Sequence, residues 1–117
     1  MLKDIDKRDF EKEVLLALES LPEEFKEKLE NINIIIEDTN PSTGSELILG
    51  LYHGIPLKNR GIYYSNVLPD RIILYSKNIK NISRTKQELR KNIKKVIIHE
   101  VAHYFGFEED TIRKIGY

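Results

Sequence analysis

Two histidines four positions apart, His99 and His103, offer the most chemistry of any side chains in this chain, and Glu100 follows the first of them in the run His99-Glu100-Val101-Ala102-His103. On a helix such a pair lies on one face, one turn apart, so both imidazoles reach a single ion at about 2.0–2.1 Å without bending the backbone. Glu100 is rotated by about 100° from His99. It need not bind the metal, and it is placed to take a proton from water held there. Zinc (Zn2+) is the expected ion. It lowers the pKa of that water to about 7, and the carboxylate then passes the proton to a leaving amine. The bland alternative is two surface histidines on a helix that also carries a glutamate. The apolar run Val96-Ile97-Ile98 directly before the motif argues for the site.

Two nitrogens leave such a site incomplete, because catalytic zinc normally has three protein ligands and a water. Glu109 follows His103 by six residues, with Gly106 midway. A glycine there lets the chain leave the helix sharply and swing Glu109 back beneath the metal. Asp110 is the competitor, and it reads equally well as the N-cap of a final helical turn. Glu108 reads as surface. His53 is a lone histidine that either lines the cleft or is simply exposed. Tyr63, Tyr64 and Tyr104, and with them Arg60 and Arg71, are candidates to stabilise an oxyanion, though each reads more readily as packing or surface.

The elements that must hold these groups are legible in outline. Phe10, Val14, Leu15, Leu18 and Leu21 recur at helical spacing, which predicts an amphipathic helix over about residues 7 to 19. Pro22 suits the first turn of a short second helix, with Phe25 and Leu29 facing the core. Ile32, Ile34 and Ile36 predict a mostly buried strand, and Glu46 to Tyr52 a second. Asn40 to Ser45 is a turn by composition, and His53 to Pro69, broken by Gly54, Pro56 and Gly61, is a long loop. Arg71 to Ser76 predicts a third strand. Thr85-Lys86-Gln87-Glu88 is a capping box. The helix it opens runs through Ile93, Val96, Ile97 and Val101 to Phe105, roughly 30 Å. A last helical turn is expected over Asp110 to Ile115.

At 117 residues, with 40% apolar and 32% charged side chains, the chain predicts one soluble domain over residues 1–117. No apolar run approaches the roughly 20 residues that span a bilayer. The first residues have no signal-like apolar stretch, and cysteine is absent. A cytoplasmic location and nitrogen and oxygen metal ligands are the expectations. The zero net charge hides an asymmetry: residues 1–38 hold 12 acids against 6 bases, and residues 77–95 hold 8 bases against Glu88 alone. That basic run lacks the interleaved aromatics that stack bases, so it reads as a solvated face rather than a nucleic-acid surface.

Two stretches carry a resemblance. One is Leu49-Gly50-Leu51-Tyr52-His53-Gly54-Ile55-Pro56-Leu57, continuing through Arg60-Gly61 to Leu68-Pro69-Asp70-Arg71-Ile72; the other is His99 through Gly106. With these the chain resembles the small bacterial zincin-like metallopeptidases, or minimal metalloprotease-like domains, over roughly residues 10–117. The resemblance implies an α+β fold in which a small mixed sheet packs against the long motif helix and the N-terminal helices. It also implies a His, His, carboxylate zinc site. The family pattern has aspartate three residues after the glycine, where this chain has Glu109. Metzincins are excluded because Met1 is the sole methionine, and gluzincins because only 14 residues follow His103. The function expected is zinc-dependent hydrolysis of a peptide or protein substrate, with zinc on His99, His103 and Glu109 and Glu100 as base. A non-catalytic, zinc-stabilised interaction module is the competing expectation.

Overall fold

The computed structural model describes residue 2, residues 5–39, 48–54, 70–114 and 116–117. In chain order the elements are α1 (Lys7–Glu19), α2 (Glu23–Leu29), β1 (Ile32–Glu37), β2 (Gly50–His53), β3 (Asp70–Tyr75), α3 (Ser76–Asn81), α4 (Lys86–Tyr104) and α5 (Glu109–Lys114). The sheet is mixed, with order β1-β3-β2: β1 runs parallel to β3 and β2 antiparallel to it. The expected α+β layout, with a small mixed sheet against the motif helix and the N-terminal helices, is what the molecule adopts. The expected turn at Asn40–Ser45, the start of the second strand at Glu46, most of the long loop, and Arg60, Tyr63, Tyr64 and Ile115 lie outside the described residues.

Position in the sheet decides burial. β3 is central, and its Ile72 and Leu74 are fully buried. β1 is an edge strand; Ile32 is buried, but Ile34 and Ile36 are only half-covered, so the expected mostly buried strand is half-buried. The first helix starts at residue 7 as expected, where the Asp6 carboxylate accepts the Asp9 N–H at 2.9 Å. Its buried stripe differs from the expected one: Ala17 joins it, Leu18 is only half-buried and Leu15 drops out. Phe10, Val14, Ala17 and Leu21 face inward, while Leu15 is 61% exposed. Leu15 sits about 100° round from Val14, off the face of α1 that turns inward.

One boundary shifts at the end of β3. Ser76 was expected to end a strand, yet it opens α3, a helix that the sequence pattern did not reveal. α3 carries just one buried apolar side chain, Ile79, among lysines and asparagines, too few for a visible period. Two members of the basic run have internal roles: Lys80 Nζ donates to the Ile5 carbonyl at 3.1 Å, and the Arg90 guanidinium meets the buried Glu13 at 2.8 Å, tying α1 to α4.

α4 is the spine. Thr85 caps it, its hydroxyl accepting the Glu88 N–H at 3.1 Å. Leu89, Ile93, Val96, Ile97 and Val101 form one buried stripe. That stripe fixes the helix's rotation about its axis, and with it the direction in which the next face points.

β2 lies so close to α4 that a side chain at Gly50 has no room. A Cβ there would stand 2.5 Å from Val96 Cγ1 and 3.1 Å from the Ile73 carbonyl oxygen. Val96 is β-branched and stiff on a helix, so it cannot turn aside. Gly50→Ala is expected to destabilise the chain by about 1–3 kcal/mol through overpacking. In urea unfolding, Val96→Ala should then cost less in the Gly50→Ala background than in wild type; additive losses would show that the two positions do not clash.

Candidate metal centre

His99 and His103 project from α4 on the face beside its buried stripe, with ring centroids 5.1 Å apart. After Tyr104 the helix ends in a left-handed turn at Gly106 (φ 84°). There the Gly106 N–H donates to His103 O at 2.8 Å and the Phe107 N–H to Ala102 O at 3.0 Å, a Schellman cap. A side chain at 106 would meet the strain of positive φ, so the glycine expected to end the helix does so for that reason. Lys28 of α2 adds its ammonium over the Phe105 ring at 4.4 Å. The reversal brings the first residue of α5, Glu109, back to the imidazoles. Its Oε2 lies 2.8 Å from His99 Nε2 and 3.2 Å from His103 Nε2.

Of the two carboxylates weighed at this position, Glu109 is the one that meets the rings. Asp110 occupies the second position of α5 and is exposed. It is not the N-cap either: the Ile112 N–H bonds back to Glu108 O at 3.0 Å, so the helix is already under way at Asp110. Glu108 is exposed, as expected.

Glu100 faces the opposite way from solvent and is 8% exposed. Its Oε1 accepts the backbone N–H of Tyr52 in β2 at 2.8 Å, and its Oε2 stands 3.9 Å from His99 Nε2. Burial pushes its carboxyl above the ordinary range; the nearby His103 and His99 and the Tyr52 amide oppose that rise, and Glu109 adds to it. Tyr52 is itself held: its hydroxyl donates to the buried Asp70 at 2.7 Å, and its ring packs edge-on against Tyr104 at 5.9 Å.

The donor atoms of His99, Glu100 and His103 lie within 4.8 Å of one another. Glu109 makes the closer approach to both imidazoles, whereas Glu100 has one oxygen committed to β2. Ligands of a tetrahedral zinc at 2.0–2.2 Å stand roughly 3.3 Å apart. The Glu109 oxygen lies 2.8 and 3.2 Å from the two Nε2 atoms, somewhat closer than that, so these three side chains are gathered where they could hold such an ion.

Beside this cluster a cleft of about 700 Å³ runs between α4 and β2. Leu49, Leu51 and Val96 give it an apolar side, and Lys95 and Arg113 bring cations to its rim. The other candidates lie elsewhere. His53 ends β2, exposed, with its Nδ1 2.8 Å from the Arg71 guanidinium on the neighbouring strand. Tyr104 packs between Tyr52 and Phe105. Three contributors escaped the sequence reading: the Tyr52 amide, the Tyr117 backbone oxygen 2.8 Å from His99 Nδ1, and the clearance at Gly50. The first two are main-chain groups with no signature in residue type. A glycine inside a strand was the one available signal of a close approach.

Among the described residues no helix is long and apolar enough to cross a membrane. A family model described as zincin-like metallopeptidase matches residues 29–117. No curated protein matches the chain.

Proposed function

Because the chain belongs to the zincin-like metallopeptidase family, we propose that it hydrolyses peptide bonds with one zinc ion held by His99, His103 and Glu109 and with Glu100 as general base. The observation that carries this reading is the placement of one Glu109 oxygen within 2.8 and 3.2 Å of both imidazole Nε2 atoms. A zinc ion bound there supplies a Lewis acid that acidifies water and polarises a carbonyl.

The protein's own groups then have distinct tasks. Tyr52 N–H holds one Glu100 oxygen, which leaves the other, on the His99 side, to take a proton from the attacking water. Burial raises that carboxyl's pKa, which strengthens it as a base, and once protonated it can return the proton to the departing amine. The apolar side of the cleft suits a hydrophobic side chain of a peptide or protein substrate. The open cleft beside the cluster favours a catalyst over a closed, purely structural zinc module.

Removing the metal tests the reading. A strong chelator is expected to abolish cleavage of an unstructured protein such as casein, and one equivalent of zinc to restore it. Cleavage that survives chelation, with zinc absent by elemental analysis, would rule it out.

A further inference from the structure

His99 is gripped on both sides of its ring, and both grips come from the same short stretch of chain. On the Nε2 side stands Glu109, the first residue of α5. On the Nδ1 side, 2.8 Å away, stands the backbone oxygen of Tyr117, just beyond the end of that helix.

The position of that oxygen is built rather than incidental. Gly116 adopts φ 99°, its N–H donates to Arg113 O at 3.1 Å, and the Tyr117 N–H donates to Ile112 O at 3.1 Å. These are the two bonds of a Schellman cap, and they anchor Tyr117 to Ile112, whose side chain is fully buried. The cap that ends α5 therefore repeats the one at Gly106 that ends α4. The first aims Glu109; the second aims Tyr117.

A backbone oxygen only accepts hydrogen bonds, so this contact requires the His99 proton on Nδ1. With that proton fixed on Nδ1, a bound zinc ion would take the place of a proton on Nε2, the nitrogen that faces Glu109. We propose that Tyr117 is a positioning residue for the metal centre: through its main-chain oxygen, the α5 cap fixes the tautomer and tilt of His99. The inference rests on the reading of His99 as a zinc ligand. Outer partners of ligating histidines commonly contribute a 10–100-fold factor in metal affinity.

The test measures zinc affinity of the full chain by competition with a chromophoric chelator. A chain ending at residue 115 is expected to bind zinc about 10–100-fold more weakly. Gly116→Val, which strains the left-handed position, should weaken binding in the same direction. Gly116→Asn should recover most of the loss, since asparagine tolerates that conformation and a Cβ at 116 meets no atom within 4 Å. Nitrogen-15 NMR of the zinc-loaded wild type should show His99 protonated at Nδ1 and bound through Nε2, with that signature altered in the shortened chain. A merely structural role for the cap would leave the signature unchanged. A wild-type chain that takes up no zinc overturns both this inference and the metal reading beneath it. A shortened chain that binds zinc as tightly as wild type, with the same His99 signature, overturns this inference alone.

Discussion

Glu100→Gln is expected to bind one zinc as wild type does and to lose roughly 10²- to 10⁴-fold in turnover, the usual contribution of a positioned acid–base group. The amide is nearly isosteric, and its oxygen can still accept the Tyr52 N–H, so the strand–helix contact survives the change. What disappears is the capacity to take and return a proton. Zinc content by elemental analysis and peptide turnover must be measured on the same preparation. Loss of both together would make Glu100 a ligand, a role its proximity to both histidines permits. Retained zinc with full turnover would remove it from the mechanism altogether.

The choice of third ligand yields the second large effect. Glu109→Ala should weaken zinc binding by more than about 100-fold, since even outer partners commonly contribute 10–100-fold. Asp110→Ala should bind much as wild type does, because its side chain leaves the site on the second position of α5. The difference is readable in melting temperature. At zinc 1,000-fold above the wild-type dissociation constant, binding stabilises the fold by about 4.1 kcal/mol, and a 100-fold loss in affinity removes about 2.7 kcal/mol of it. For a chain of this length that is roughly 10 °C. His99→Ala should abolish the zinc-dependent shift. A normal shift in Glu109→Ala with a lost one in Asp110→Ala would exchange the two roles.

How much of this was readable beforehand varies with the range of the interaction. The capping box at Thr85, the apolar stripe through Ile93 and Ile97, and the stop at Gly106 all act within a few residues, and each was visible as composition at a fixed offset. α3 failed to show because a helix of six residues with a single buried apolar side chain has no period to detect. Leu15 misled for a related reason. Helical spacing marks a band wider than the face that packs, and the neighbour across the interface selects the part that is buried. The half-burial of β1 followed from its place at the sheet edge, and strand order is a matter of long-range pairing.

The site divides along the same line. That His99 and His103 share a helix face, with Glu100 on the adjoining one, follows from the helical repeat alone and needs nothing distant. Whether Glu109 or Asp110 returns to those rings depends on where the chain goes after Gly106, and the two residues are chemically near-equivalent as text. Folding separates them, because only one points inward once α5 has begun. The Tyr52 amide on Glu100 and the Tyr117 oxygen on His99 are further removed still, bridging 48 and 18 positions of sequence. Nearly every residue carries such main-chain groups, so residue type cannot mark the two that matter; packing of β2 and the α5 cap against α4 singles them out.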